Sequence, residues 1–568
     1  MGGLIRSGPV LFAILLALTA CAGPASRDTS RSGGQAAGSG AEPRKVTIAI
    51  RGEPRTFSIK IDSSPSVPGG AEVEQLVNAG LTVTDNVGAL RPQLAEAVPT
   101  VENGLWKLFP DGHMETTWRL RAGASWHDGS PVTSDDLRFT TRVVQDGDLP
   151  EFRDAQFDLI ESVSAPDSRT VVLRWKQPFI QADAMFSQNL VLPMAQHALE
   201  PAYLRDKASF TDSPAWSQEF VGSGPFRLQE WAQGSHMLLA AFDQYVLGRP
   251  KLDQIEVRFV EDSNTFAANM MAGAVDMNLG ARNLSLEQAL QVKEHWSGSM
   301  EIRYRQRFVA HPQFMDASPF LISDVRFRRA LYHALDRQQM SDTLLPGATS
   351  PVAHFFLDPS EPEFKELQSA AIRYDFDQRQ SAQLLESLGL SKGPDGMYHG
   401  ANGEKVTVEI RTVSTDINTK IMYAMADFWQ KAGVAVDPVV IPPQRQRDLA
   451  WRATFPGFDM ERQPSDTEPF KYLYASQSRV AETNYLGRNY SRYMNPALDA
   501  MVDAYFTTIP WDQRMDIGRD IVHHITDQVV WMDLFYDAEP MLVSGRVSHV
   551  TPVSQGAVAW NAQEWDLN

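Results

Sequence analysis

The chain has 568 residues and a single cysteine, Cys21. No disulfide can form within such a chain, so its fold depends on hydrophobic cores and hydrogen bonds. The cysteine stands directly after an apolar run, residues 9–20 (PVLFAILLALTA), which is too short to span a bilayer as a stable helix. Its position therefore indicates a processing site and not a packed core residue.

Residues 1–21 have the order of a secretory signal peptide. Arg6 supplies the positive charge, residues 9–20 supply the apolar core, and residues 18–21 (LTAC) resemble the lipobox of bacterial lipoproteins. We expect Cys21 to be the lipidated N-terminus of an exported protein, because several acyl chains anchor a protein without a transmembrane helix. The expected location is the cell envelope, either the periplasm or the outer face of the cytoplasmic membrane.

Residues 22–44 are rich in Gly, Ser, Ala and Pro without an apolar period, which is typical of a flexible tether. The folded part is expected to begin near Lys45. About 520 residues remain from there, which is more than one hydrophobic core usually holds. The length therefore predicts two or more lobes.

The formal charge of −18 and the pI near 5.2 argue against a nucleic-acid partner, which needs clustered Lys and Arg. Most of this charge is expected to lie on solvated surface. It is compatible with a cationic or zwitterionic ligand.

Three local patterns predict secondary structure. Residues 45–50 (KVTIAI) alternate and are β-branched, which predicts a strand, and residues 71–81 have apolar positions at helical spacing that end at Gly80. Residues 115–136 predict a strand, a tight turn at Asp128-Gly129, and a helix capped by Thr133.

The order of several segments resembles the signature of the family 5 extracellular solute-binding proteins, the peptide- and nickel-binding group. The densest match is the Trp-His-Asp-Gly turn at residues 126–129, where the family has Phe-His-Asp-Gly. The matching segments are residues 93–97 (QLAEA), 115–136, 222–231 (GSGPFRLQEW), 245–255 (YVLGRPKLDQI), 272–276 (AGAVD) and 324–336 (DVRFRRALYHALD).

The resemblance implies an α/β fold with two lobes, like that of type II periplasmic binding proteins, and an extra domain inserted near the N-terminus. Lobe I is expected to comprise residues 45–70, 215–300 and 536–568. The inserted domain would span residues 71–214, and lobe II would span residues 301–535.

The sequence has no signature of an enzyme, since it lacks a Gly-x-Ser-x-Gly elbow, a His-Glu-x-x-His motif and a P-loop. We expect neither a cofactor nor a metal site. His523 and His524 are adjacent and point about 100° apart on a helix, so they are expected to be a surface pair. His127 is expected to order the inserted domain.

A peptide ligand needs a carboxylate for its α-ammonium group. In peptide-binding relatives this carboxylate follows a Tyr-Asp-Met strand, and here residues 458–460 (FDM) precede residues 461–469 (ERQPSDTEP). The resemblance implies an amine site at Ser465 and Asp466. The family's Gly-Trp pair is missing and the loop is shorter. The alternative is therefore that Asp466 is an ordinary loop carboxylate that does not bind a ligand.

The resemblance also implies weaker candidates for ligand contact. Gln313 and Phe314 follow the expected hinge strand. For Phe314, packing in the hydrophobic core is an equal alternative to ligand contact. The remaining candidates are Asn78, Trp451 and Asn484.

These features predict a monomeric, lipid-anchored binding protein that captures a solute between two lobes and delivers it to the permease of an ABC importer. A peptide is the first expectation for the solute. A nickel or other metal chelate, a sugar or an opine remain alternatives, and so does a sensory lipoprotein without a transport role.

Overall fold

The computed structural model describes residues 42–62, 67–188, 190–348, 350–551 and 558–568. The predicted signal peptide, Cys21 and nearly all of the predicted tether lie outside the described residues. Residues 43–568 form one compact unit. No helix within the described residues is long and apolar enough to cross a membrane.

Helices and strands are interspersed along the described chain. The strands are β1 (Lys45–Ile50), β2 (Thr82–Thr84), β3 (Leu90–Pro92), β4 (Trp106–Leu108), β5 (Met114–Arg119), β6 (Ile160–Asp167), β7 (Thr170–Trp175), β8 (Phe226–Ala232), β9 (His236–Ala241), β10 (Gln254–Phe259), β11 (Met277–Asn278), β12 (Gly298–Arg303), β13 (Gln306–Pro312), β14 (Ser391–Lys392), β15 (Tyr398–His399), β16 (Thr407–Val413), β17 (Ala435–Ile441), β18 (Phe458–Pro464), β19 (Met532–Tyr536), β20 (Glu539–Ser544), β21 (Val547–Ser548) and β22 (Asp566–Leu567). The helices are α1 (Gly70–Val77), α2 (Ser134–Val144), α3 (Gln196–Arg205), α4 (Ser263–Met271), α5 (Leu286–His295), α6 (Val325–His333), α7 (Arg337–Leu344), α8 (Phe364–Leu367), α9 (Gln378–Ser387), α10 (Asp416–Ala432), α11 (Leu449–Ala453), α12 (Pro469–Tyr472), α13 (Pro496–Thr507) and α14 (Trp511–Asp527).

A seven-stranded sheet has the order β12-β20-β11-β1-β10-β9-β8. Its central strand β1 coincides with the predicted strand, and it runs parallel to β10 and β11. The side chains of Val46, Ile48 and Ile50 are fully buried in one hydrophobic core with those of β9 and β10. An alternating β-branched segment thus forms the middle of the sheet, as its pattern predicts.

A second sheet, of five strands, has the order β17-β16-β18-β13-β19. Strand β16 is parallel to β17 and β18, and β13 is antiparallel to β18 and β19. Helix α10 covers this sheet, and its Trp429 is fully buried against Phe458. Thr415 caps the start of α10, and Gly433 ends it in the left-handed conformation (φ 99°) that favours glycine.

The chain crosses between the two sheets at two adjacent places. Strand β12 of the first sheet is followed by β13 of the second, and β19 of the second is followed by β20 of the first. The two crossings are hydrogen bonded, since the Asp537 amide donates to the Gln306 carbonyl over 2.8 Å. Short paired crossings of this kind are suited to act as a hinge.

A smaller antiparallel sheet, β4-β5-β7-β6, lies within residues 106–175 and packs against α2, which in turn packs against α3. Its core contains the fully buried Trp118, Trp126 and Trp175. Helix α2 begins as predicted, because the Thr133 amide donates to the Asp136 carboxylate over 2.7 Å in a capping box.

The predicted helix at residues 71–81 is shorter in the structure, where α1 ends at Val77. The backbone of the Gly-Ser-Gly segment at residues 222–224 lies against this end, and the Gly224 amide donates to the Val77 carbonyl over 3.0 Å. Tertiary packing, and not Gly80, therefore ends the helix.

His127 belongs to the same junction. Its amide donates to the Gly222 carbonyl over 2.8 Å, and its Nε2 lies 3.0 Å from the Gly224 carbonyl. Burial lowers the pKa of the His127 imidazole to about 4, so the ring is neutral at physiological pH. The Trp-His-Asp-Gly turn at residues 126–129 thus connects the smaller sheet to the segment that precedes β8 of the seven-stranded sheet.

We expect Gly222→Ala to destabilise the protein by about 3 kcal/mol, because the added methyl group would overpack the contact between residue 222 and the end of α1. A Cβ atom at residue 222 would lie 1.9 Å from the Val77 carbonyl oxygen, which is backbone and cannot turn aside. The measurement is the free energy of unfolding in urea. Gly147→Ala is the matched control, since its Cβ would meet no atom within 4 Å. Equal losses in both variants would contradict the packing argument.

Candidate functional site

A cleft of about 810 Å³ lies at the two crossings between the sheets. One wall comes from residues 54–62 and 67–72, after β1 and at the start of α1, and another wall comes from residues 361–363 and 464–471. Arg305, Gln306 and Glu539 form part of its lining at the crossings. The volume falls within the range of about 300–1,000 Å³ that is usual for small-molecule sites.

Carboxylates dominate the charged lining of the cleft within the described residues. Those from the five-stranded-sheet side are Glu361, Glu363, Asp466 and Glu468. Those from the remaining walls are Asp62, Glu72, Asp154, Asp183 and Glu539. The cations that line the cleft there are Lys60, Lys471, Arg282 and Arg305.

Two of the cations are already engaged with carboxylates of the same lining. Lys60 lies 2.9 Å from Asp154, and Arg305 lies 3.9 Å from Glu72. Lys471 donates to the Gln181 side-chain carbonyl over 3.1 Å. Since Lys471 follows β18 and Gln181 follows β7, this hydrogen bond joins two walls of the cleft.

The crowding of carboxylates changes their protonation. Burial, together with the neighbouring Glu363, Asp466 and Asp358 carboxylates, raises the pKa of Glu361 from 4.5 to about 9. Burial raises the pKa of Asp183 to about 7. The pKa of Asp466 is also raised, by burial and then by Glu468. Glu361 is therefore neutral, and Asp183 only partly ionised, at physiological pH.

Asp466 lines the cleft, two residues after the end of β18. Its carboxylate accepts a hydrogen bond from the Glu468 amide over 2.8 Å. Ser465 is buried behind it, where the Ser465 amide donates to the Arg305 carbonyl over 3.0 Å and its own carbonyl accepts from the Asp358 amide over 2.7 Å. These backbone bonds fix the predicted amine site against a crossing strand.

The structure places Gln313 and Phe314 outside the lining of the cleft. The Gln313 side chain is fully buried, and its amide donates to the carbonyls of Ala453 and Phe455 over 3.1 and 2.9 Å. The Phe314 ring packs under the Arg328 guanidinium, 4.5 Å from the ring centroid. For Phe314, this environment agrees with the alternative that the ring packs within the protein and does not contact a ligand.

The other three predicted ligand residues also lie outside the lining of this cleft. Asn78 is buried at the end of α1 and donates to the Pro193 carbonyl over 3.3 Å. The Trp451 ring stacks 4.1 Å from the Arg411 guanidinium. Asn484 adopts the left-handed conformation after a short turn.

Sequence reasoning did not single out Glu361, Glu363, Asp183, Glu539 or Lys471 as cleft residues. They come from separate segments, and no local motif marks any of them. An aspartate that follows a recognisable strand can be found in the sequence, but a meeting of distant carboxylates requires the fold.

The described residues contain no group of three or more His, Cys, Asp or Glu side chains that could hold a metal ion. His523 and His524 lie on α14, where His524 Nε2 is 3.0 Å from the Tyr493 hydroxyl. The arginines at the start of α6 are also engaged separately. Arg326 pairs with Asp324, Arg329 pairs with Asp527, and Arg328 donates to the Gln528 carbonyl over 2.7 Å.

The family model of the bacterial extracellular solute-binding proteins, family 5, matches residues 89–483. Protein XP55 of Streptomyces lividans is 26% identical over 98% of this chain and 96% of its own length. The oligopeptide-binding protein AppA of Bacillus subtilis is 23% identical over 87% of this chain and 86% of its own length.

Solved structures have the same fold. The structure of AppA from Bacillus subtilis in complex with a nonapeptide covers 93% of this chain and all of its own, with a TM-score of 0.69 and 19% identity. NikA from Brucella suis in complex with Fe(III)-EDTA covers 92% of this chain and all of its own, with a TM-score of 0.74 and 17% identity. These likenesses confirm the predicted two-lobed α/β fold class.

Proposed function

Since this chain belongs to the family 5 bacterial extracellular solute-binding proteins, we propose that it captures a peptide between its two lobes and delivers it to the permease of an ABC importer. The observation that carries the proposal is the cleft at the paired crossings. A solute in this cleft contacts both sheets at once. Because the solute binds the closed form of the protein more tightly than the open form, it shifts the protein to the closed form.

The peptide assignment is supported by the names of relatives and by the position of Asp466. AppA of Bacillus subtilis is an oligopeptide-binding protein, and several Brucella relatives at 25% identity are described as peptide-binding proteins of ABC transporters. Asp466 would receive the α-ammonium group of the peptide, while Ser465 holds the loop in place. No covalent step is needed for this function.

The proposal includes the organisation of the chain. Lobe I comprises residues 45–70, 215–300 and 536–568, the inserted domain comprises residues 71–214, and lobe II comprises residues 301–535. Cys21 carries the lipid that holds the protein at the membrane surface, with residues 22–44 as the tether. The protein acts as a monomer and needs no cofactor.

The test is a thermal-unfolding series on the full chain in mild detergent. The added solutes are di- to hexapeptides, nickel–histidine, simple sugars and an opine. Peptides are expected to raise the melting temperature, because a ligand that binds only the native state stabilises it by mass action. A shift with the nickel chelate or a sugar alone would reject the peptide and keep solute capture. No shift with any solute would reject capture.

A further inference from the structure

The cleft is short of cations. Within the described residues, the carboxylates of Glu361, Glu363 and Glu539 form no ion pair, while Lys60 and Arg305 are already paired with other carboxylates. Clefts lined by one sign of charge concentrate ligands of the opposite sign. The lining therefore favours a positively charged solute.

Glu539 gives independent evidence for a missing hydrogen-bond donor. It begins β20 at a crossing, lines the cleft and is only 3% exposed. Neither of its carboxylate oxygens has a hydrogen-bond partner among the described residues. Two arginines act on Glu539 electrostatically, Arg303 opposite it in the register of β12 and β20 and Arg282 of the cleft lining, but among the described residues neither forms an ion pair with its carboxylate. A buried charge without a donor is costly, and a ligand ammonium group would supply the donor.

The second acidic place is the wall around Glu361. Like charges face this carboxylate from the preceding segment (Asp358), from the following segment (Glu363) and from the loop after β18 (Asp466). The positive charges that act on this wall are Arg514 of α14 on Glu363, and Arg305 and Arg307 on Asp466. A ligand cation between these carboxylates would relieve the repulsion that favours the neutral form of Glu361.

We propose that the cleft selects a solute with two positively charged groups, namely a short peptide with a basic side chain in addition to its α-ammonium group. One positive charge meets the carboxylates of Glu361, Glu363 and Asp466, and the other meets Glu539 at the crossing. The inference rests on the proposed capture of a solute in this cleft and names the class of that solute.

Binding of such a ligand is coupled to proton release. The pKa of Glu361 in the free cleft is about 9, so the carboxyl group is protonated at neutral pH. A nearby ligand cation stabilises the carboxylate and lowers this pKa. Because the ligand binds the deprotonated form more tightly, its affinity increases as the pH rises from 6 to 7.5, by at most about tenfold per pH unit.

The experiment is calorimetric titration of the full chain in mild detergent with matched tripeptides. Ala-Lys-Ala is compared with Ala-norleucine-Ala, which lacks only the side-chain amine, and with Ala-Glu-Ala. We expect the lysine peptide to bind at least tenfold more tightly than the norleucine peptide and the glutamate peptide to bind most weakly. Buffers of different ionisation enthalpy should report release of a proton with Ala-Lys-Ala.

Two variants locate the effect. Glu361→Gln and Glu539→Gln should each reduce the preference for lysine over norleucine, and Glu361→Gln should also remove the proton release. Glu366→Gln is the control, because this exposed residue of α8 lies outside the cleft lining. The melting temperature of each free variant shows whether it folds.

The outcomes separate this inference from the proposed function. If the three tripeptides bind equally well, charge selection is wrong and peptide capture stands. If putrescine, a diamine titrated in the same way, binds and no peptide does, selection for two positive groups is upheld but the solute is not a peptide. If no solute binds, capture itself is wrong and the inference falls with it.

Discussion

Asp466→Asn is expected to weaken the binding of a peptide with a free amino terminus by about 2–5 kcal/mol, the usual cost of removing one partner of a buried charge pair. This corresponds to a loss of roughly 30-fold to several thousandfold in affinity. The variant keeps an acceptor for the Glu468 amide, which lies 2.8 Å from the Asp466 carboxylate, so the loop should retain its conformation. Calorimetric titration measures the change.

An N-acetylated peptide makes this prediction specific to the amine. The acetylated peptide lacks the ammonium group, so we expect it to bind weakly and almost equally to both proteins. Asp437→Asn serves as the control variant, because Asp437 is an exposed carboxylate of β17 outside the cleft lining. An equal loss of affinity for free and acetylated peptides would show that Asp466 shapes the loop and does not bind the amine.

The sequence predicts those parts of the fold in which local pattern and tertiary context agree. Strand β1 has its predicted bounds because Val46, Ile48 and Ile50 face a core on the alternation that defines a strand. The start of α2 is equally local, since Thr133 and Asp136 form the capping box within four residues. The order of the family-like segments then predicts the two-lobed fold.

The end of α1 could not be predicted in this way. Residues 71–81 have helical spacing up to Gly80, but a segment nearly 150 residues later reaches the carbonyl of Val77 and ends the helix there. The same limitation applies to the site. Asp466 follows a recognisable strand, whereas Glu361 and Glu539 reach the cleft only through the assembly of separate segments.

The predicted contacts at Gln313 and Trp451 show a further limit of sequence reasoning. Both residues have side chains that suit a ligand, and Gln313 follows the expected hinge strand while Trp451 precedes the strand that begins at Phe458. In the structure, the Gln313 amide satisfies two backbone carbonyls, and the Trp451 ring stacks on Arg411. Residue type and position along the chain do not reveal which side of a strand or helix faces the cleft.

Arg307→Met is expected to destabilise the protein by about 3–5 kcal/mol, because it leaves Asp533 as a buried and unpaired carboxylate. The Arg307 side chain is 1% exposed and donates to Asp533 of β19 and to the carbonyl of Pro464. It also lies 5.6 Å from the centroid of the Trp531 ring. Unfolding in urea measures the loss.

The double variant Arg307→Met, Asp533→Leu distinguishes the charge from the other contacts of Arg307. Apolar residues that replace a whole buried ion pair are often tolerated, so the double variant should recover most of the lost stability. If it does not, the bond to the Pro464 carbonyl carries the effect. Pro464 ends β18, two residues before Asp466, and β18 pairs with the crossing strand β13. Stability recovered without recovery of ligand affinity would therefore show that Arg307 also positions the amine site.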